Sequence, residues 1–151
     1  MAKDRITVGI SQGDTNGIGY EVIIKALADP RILESFIPVI YGSSKAFGFY
    51  KKTLHNIGNI ETHVISSAKD AKPKVVNIVN CLPDNLLVEP GKATPDSAKA
   101  AMTSLECAVK GLKDGEIDVL VTAPINKRAM DSEGFGFTGH TEYLEQQFGA
   151  G

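Results

Sequence analysis

The feature that most limits the fold is a five-residue apolar run, residues 6–10 (ITVGI), that ends in a glycine-rich turn. The run is too short for a helix of ordinary length and is apolar at successive positions, as expected of a strand buried on both faces of a sheet. Glycines follow at positions 13, 17 and 19, and then Ile18, Val22, Ile23, Ala26 and Leu27 recur at helical spacing. Strand, glycine turn and helix in that order predict the opening unit of an α/β fold, with Asn16 as N-cap and Asp29-Pro30 as the stop.

The pattern repeats along the chain. Residues 37–41 (IPVIY) read as a second strand, with Pro38 suited to its start or to a sheet edge. Gly42-Ser43-Ser44 opens a helix carrying Ala46, Phe47, Tyr50, Leu54 and Ile57. Residues 62–65 and 75–79 are further strand candidates, and residues 82–93 read as a long loop. The clearest helix covers 95–113. Thr94 caps it, Pro95 takes the first helical position and Gly115 lies just past its end. Its stripe is Ala98, Ala101, Met102, Leu105, Ala108, Val109 and Leu112. Residues 118–122 (DVLVT) form a last buried strand; both this strand and residues 6–10 are expected inside the sheet.

Composition excludes several classes. Of 151 residues 42% are hydrophobic and 23% charged, and the net charge is −2. That is too apolar for a disordered chain and not basic enough for a protein whose task is to coat nucleic acid. No apolar run reaches membrane-spanning length, and the amino terminus has no signal-peptide pattern. Neither nucleic-acid nor membrane partners are expected. Cys81 and Cys107 show no metal spacing and read as two reduced thiols of a cytoplasmic protein.

Open parallel sheets bind ligands beyond the carboxyl ends of their strands. Three polar segments follow predicted strands or lie just downstream: residues 11–19, 122–127 and 138–142. The first carries Gly13 and Asp14 in a G-x-x-x-G-x-G pattern, which is neither the dinucleotide fingerprint nor a phosphate-binding P-loop. It either leaves backbone N–H groups open to an anion or is simply a tight strand-to-helix turn. In the second, Lys127 follows Pro124 and Asn126. It either meets a phosphate or carboxylate as a point charge or is a solvated side chain after a helix cap. In the third, His140 and Thr141 stand at a helix start with Glu142 in the first turn, where imidazole, hydroxyl and backbone amides converge. His55 and His63 read as ordinary surface or half-buried histidines, and no HxH or HxxxH spacing points to a metal. A nucleophile elbow is also missing, which counts against an acyltransferase.

These segments together resemble the 4-hydroxythreonine-4-phosphate dehydrogenase family, PdxA, of vitamin B6 synthesis. The matching text is ITVGISQGDTNGIGYEVIIKAL, VEPGKATPDSAKAAMTSLECAV, DVLVTAPINK and GFGFTGHTEYLEQQFG, in the family's order over nearly the whole chain. The family's usual first motif is G-D-P-A-G-I-G-P-E; here Thr15, Asn16 and Tyr20 replace proline, alanine and proline. The resemblance implies an isocitrate/isopropylmalate dehydrogenase-like α/β fold: a mostly parallel sheet with flanking helices, incomplete in this chain. Residues 1–151 are expected to be the amino-terminal α/β portion of a longer two-domain enzyme that works as a homodimer, inactive on its own.

The implied reaction is NAD- or NADP-dependent oxidation and decarboxylation of 4-phosphooxy-L-threonine to 3-amino-2-oxopropyl phosphate, in pyridoxal 5'-phosphate biosynthesis. The alternatives are a related threonate or erythronate phosphate dehydrogenase, or a non-catalytic phosphate-binding domain on the same scaffold. By the same resemblance His140 and Thr141 are the substrate-binding pair; Gly13, Asp14 and Lys127, picked out by their positions after strands, are expected in a substrate or cofactor loop. The implied divalent metal (Zn, Mg or Co) is expected on histidines beyond Gly151, so no residue of this sequence is named as a ligand.

Overall fold

A computed structural model describes residues 5–13, 15–54, 60–83, 88–92 and 94–123. Five parallel strands form one sheet in the order β3-β4-β2-β1-β5. The elements run β1 (Ile6–Ser11), α1 (Gly19–Leu27), α2 (Pro30–Ser35), β2 (Phe36–Gly42), α3 (Ser44–Thr53), β3 (Thr62–Ile65), β4 (Val76–Asn80), α4 (Pro95–Lys113) and β5 (Val119–Thr122), with a short 3₁₀ turn at Ala68–Asp70.

The sheet separates two apolar layers. Val8, Ile10, Ile40 and Ile78 pack with Tyr20, Ile23, Ile24, Phe47 and Tyr50 of α1 and α3. Val39, Tyr41 and Val79, which alternate with them, pack with Ala108, Cys107 and Leu112 of α4. The period-two alternation of side chains along each strand places adjacent residues in opposite layers. In β1, Val8 and Ile10 face the first layer while Gly9 lies against Ile117 and Tyr41 of the second, so this strand is covered on both sides.

Caps set the helix starts. Ser43 accepts from the Ala46 N–H to open α3. Thr94 and Ser97 form a reciprocal capping box at the head of α4, with Pro95 in its first turn. Gly115, at φ 75°, follows the end of α4 in the left-handed conformation.

Several local expectations are corrected. Asn16 does not cap α1: Ile18 holds the N-cap position without a side-chain cap bond, and Asn16 is used elsewhere. Asp29 does not only end a helix. It accepts from the Arg31 N–H and starts α2, a helix with no buried residue and so no apolar stripe to announce it. Pro38 lies in β2, with strands on both sides. It falls one residue before the β2–β4 ladder opens at Val39, and its carbonyl accepts from Asn77 Nδ2 at 3.0 Å. The expectation that residues 118–122 form an inner strand fails among the described residues. There β5 pairs only with β1, at the sheet's edge, and Val119 and Val121 are 42% and 48% exposed. β1 is central, between β2 and β5.

The core stripe of α4 is testable. Leu105 is 2% exposed, so Leu105→Ala should lower stability by about 2–5 kcal/mol in chemical denaturation. An unchanged midpoint would show that the stripe is not core.

Candidate functional site at the carboxyl edge of the sheet

Parallel pairing brings the carboxyl ends of the strands to one edge. Ser11 lies opposite both Tyr41 and Thr122, and Gly42 lies opposite Asn80. The loop leaving β1 crosses this edge. Ala123, just past β5, donates its N–H to the Ser11 carbonyl at 3.2 Å, so the chain beyond β5 starts beside that loop. Two of the three polar segments picked out in the sequence therefore converge.

The loop is held from beneath by buried polar groups. The Gln12 N–H donates to the Tyr41 carbonyl at 3.2 Å and to Ser104 Oγ of α4 at 2.9 Å. Ser104 Oγ in turn donates to the same Tyr41 carbonyl. The Gln12 side chain is fully buried. Its Nε2 donates to Thr15 Oγ1 at 2.5 Å, and its Oε1 accepts from the Tyr20 hydroxyl. That hydroxyl also accepts from the Ser43 N–H at 2.9 Å. The Tyr50 hydroxyl donates to the Thr15 carbonyl at 2.5 Å. The Tyr20 ring stacks on Tyr50 with centroids 5.6 Å apart and meets Phe47 edge-on at 6.4 Å. Burial pushes the Tyr20 phenol above its ordinary pKa, so it stays protonated and serves as a fixed donor. There is no room for a side chain at position 42, where a Cβ would lie 2.5 Å from the Tyr20 hydroxyl and 2.6 Å from Gln12 Oε1.

Asn16 ties the loop to the segment before α4. Its Nδ2 donates to the Lys92 carbonyl at 3.0 Å, its Oδ1 accepts from the Glu89 N–H at 2.7 Å, and its carbonyl accepts from the Gly91 N–H at 2.7 Å. Thr15, Asn16 and Tyr20 are the three positions at which this sequence departs from the motif it resembles. All three carry hydrogen bonds that shape the loop. Sequence reasoning saw the substitutions but not this role, because their partners lie up to 76 positions away. Gln12 and Ser104 gave no signal at all.

Gly13 sits on this platform at φ 71°, a conformation that disfavours any residue with a Cβ. Beside it the Ser11 hydroxyl is buried with no hydrogen-bond partner among the described residues. Ile18, at the N-cap of α1, provides no side-chain cap bond, and Glu21 in the first turn is ion-paired with Lys25 at 3.0 Å. Asp14, Lys127, His140 and Thr141 lie outside the described residues, as does His55. His63 is half-buried in β3. Among the described residues no three His, Cys, Asp or Glu side chains gather as a metal site, and no helix is long and apolar enough to cross a membrane.

Residues 34–151 match the family model of the pyridoxal phosphate biosynthetic protein PdxA. The chain belongs to the PdxA family. All 151 of its residues align at 44% identity with 41% of a 4-hydroxythreonine-4-phosphate dehydrogenase from Bacteroides thetaiotaomicron. Over 146 residues it is 36% identical to an enzyme of the same name from a Sulfurihydrogenibium species, covering 44% of that protein. Its fold matches the crystal structure of a 4-hydroxythreonine-4-phosphate dehydrogenase from Burkholderia phymatum with a TM-score of 0.85 at 27% identity, over 99% of this chain and 45% of that one. The chain thus spans less than half the length of these PdxA relatives. The expected α/β class and parallel sheet agree with the architecture found.

The tie through Asn16 is testable. Asn16 is 2% exposed, and Asn16→Ala leaves the Glu89 N–H without its acceptor. The substitution should cost about 1–3 kcal/mol and speed hydrogen exchange at the Glu89 amide. Wild-type protection at that amide would show that the tie does not hold the segment.

Proposed function

We propose that this chain forms the amino-terminal portion of an NAD(P)-dependent dehydrogenase that converts 4-phosphooxy-L-threonine to 3-amino-2-oxopropyl phosphate and CO₂ in pyridoxal phosphate biosynthesis. The observation that carries the reading is 44% identity along the entire chain with a 4-hydroxythreonine-4-phosphate dehydrogenase. The TAPINK and GHTEYL segments, residues 122–127 and 139–144, support it.

The roles follow from the chemistry of the residues. His140 and Thr141 bind substrate, the imidazole donating to a polar or phosphorylated group and the hydroxyl adding a second contact. Lys127 supplies a point charge to a phosphate or carboxylate. Gly13 and Asp14, from the loop after β1, contribute a second group of contacts. Gly13 lets the backbone approach the ligand, and Asp14 orients a hydroxyl or amine. The rigid underside of that loop limits how far a bound group can drift, which matters because misplacement by about 1 Å can cost on the order of 10²-fold in rate.

When bound, NAD or NADP accepts the hydride from the substrate's secondary alcohol, and a divalent metal such as zinc, magnesium or cobalt polarises the substrate oxygen. The described residues provide no ligand set for that metal. The working enzyme is a cytoplasmic homodimer whose substrate is a small phosphorylated hydroxy amino acid.

Assays on the full-length polypeptide carrying these residues test the reading. Reduction of NAD or NADP should be fastest with 4-phosphooxy-L-threonine. Oxidation of threonate or erythronate phosphate with none of 4-phosphooxy-L-threonine would overturn it. In the same protein, His140→Ala should raise KM and lower kcat together, by on the order of 10²-fold in kcat/KM, with thermal unfolding unchanged. Wild-type kinetics in that variant would remove His140 from the substrate site.

A further inference from the structure

On the α4 side of the sheet a cleft of about 430 Å³ opens, and none of its lining residues belongs to the loop of residues 11–19. Tyr41, Ser67, Asn80, Cys81, Cys107 and Glu116 are among its walls. Cys81 follows the end of β4 and Cys107 lies on α4, so the fold brings together two thiols from separate elements. Both are free and part-exposed, and both line the cleft. A third group completes the site. Tyr41, one of the lining residues, is 4% exposed, and its buried hydroxyl has no hydrogen-bond partner among the described residues. The ring lies against bare helix backbone, since a Cβ at Gly111 would fall 2.3 Å from the Tyr41 oxygen.

A buried hydroxyl without a partner is costly to keep and is satisfied when a polar ligand enters. Paired thiols in an accessible cleft differ from inert core cysteines in being open to exchange. We propose that Cys81 and Cys107 form a thiol–disulfide exchange site whose cleft admits a small peptide disulfide, with the Tyr41 hydroxyl donating to that molecule's polar groups.

Cys107 is the attacking thiol and Cys81 the resolving one. The neighbouring Cys81 holds the Cys107 thiol down to about 7, while Cys107 and burial push the Cys81 thiol up, so that it keeps its proton. Glu106, on the same helix, opposes the shift on Cys107; Tyr41, Lys110 and Glu116 are the other ionisable groups around the cleft. The Cys107 thiolate attacks one sulfur of the small disulfide. That S–S bond breaks, a mixed disulfide forms, and the other half leaves as a thiolate that takes up a proton. Cys81 then gives up its proton and attacks the Cys107 sulfur, releasing the second half as a thiol. The protein loses two hydrogens, and the small disulfide is reduced to two thiols. The product joins the end of β4 to α4. Because the Cys81 N–H donates to the Gly42 carbonyl at 3.0 Å, the new bond would be anchored at the carboxyl edge of the sheet.

This inference does not depend on the reaction proposed above. Its test uses the reduced chain with oxidised glutathione as the probe, read by intact mass and non-reducing peptide mapping. The wild type should form an intramolecular Cys81–Cys107 disulfide that dithiothreitol reverses. Cys81→Ser keeps a hydroxyl donor and should trap one glutathione on Cys107. At pH 7 Cys107 in that variant should react about threefold faster than a thiol in the unfolded chain, the gain in thiolate being partly offset by lower nucleophilicity. Cys81→Ala removes the donor and should abolish that advantage. Tyr41→Phe, combined with Cys81→Ser, should slow adduct formation with little change in thermal unfolding. No reaction, only intermolecular dimers, or equal rates in Cys81→Ser and Cys81→Ala would overturn the proposal.

Discussion

The arrangement at the carboxyl edge depends on one buried contact, the Tyr20 hydroxyl donating to Gln12 Oε1. Gln12 is the first residue past β1, and its backbone and side chain connect different layers. Its N–H reaches Ser104 of α4 on one side of the sheet, and its amide meets Tyr20 of α1 on the other. A fully buried amide must have its hydrogen bonds met or it destabilises the fold by more than a typical hydrogen bond contributes. Satisfying Gln12 therefore fixes the loop, the start of α1 and the middle of α4 relative to one another. Gly42 is required by the same contact, because the space a side chain would need there is taken by the two interacting groups.

A loop can be stiffened in two ways. Proline restricts the backbone directly by fixing φ. Side-chain hydrogen bonds restrict it through the surrounding structure. The motif this chain resembles uses proline at two positions, where Thr15 and Tyr20 stand here. Thr15 accepts from Gln12 Nε2, Tyr20 donates to Gln12 Oε1, and the Tyr50 hydroxyl closes on the Thr15 carbonyl. The glycines and Glu21 of the motif are retained, and the positions that differ from it carry side-chain hydrogen bonds. Gly13 takes up the left-handed backbone, at φ 71°, where the loop leaves β1.

Much of the fold was legible because its signals are local. α4 combined a long apolar stripe with Thr94, Pro95 and Gly115 at its ends, and β1 was a short apolar run before a glycine turn. α2 was not legible, since a six-residue helix with only Ile32 and Leu33 partly buried is too short to show a periodic signal. The edge position of β5 was not legible either. An apolar run records that a strand has covered neighbours in the whole fold, not how many strands flank it among these residues. The candidate site was legible as an edge, through the segments that follow β1 and β5, but not as a network. Gln12 and Ser104 are 92 positions apart, and no periodicity or short motif encodes such a pair. That Cys81 and Cys107 line one cleft was invisible for the same reason: it follows from how the end of β4 and α4 are arranged in the fold.

The most direct test of this account is a double-mutant cycle between Tyr20→Phe and Gln12→Leu, read by chemical denaturation. If the contact between them organises the carboxyl edge, the two substitutions will be non-additive, with a coupling energy within about 0.5–3 kcal/mol. Destabilisations that simply add would contradict it, because the loop would then be held without the contact on which the other interactions are argued to depend.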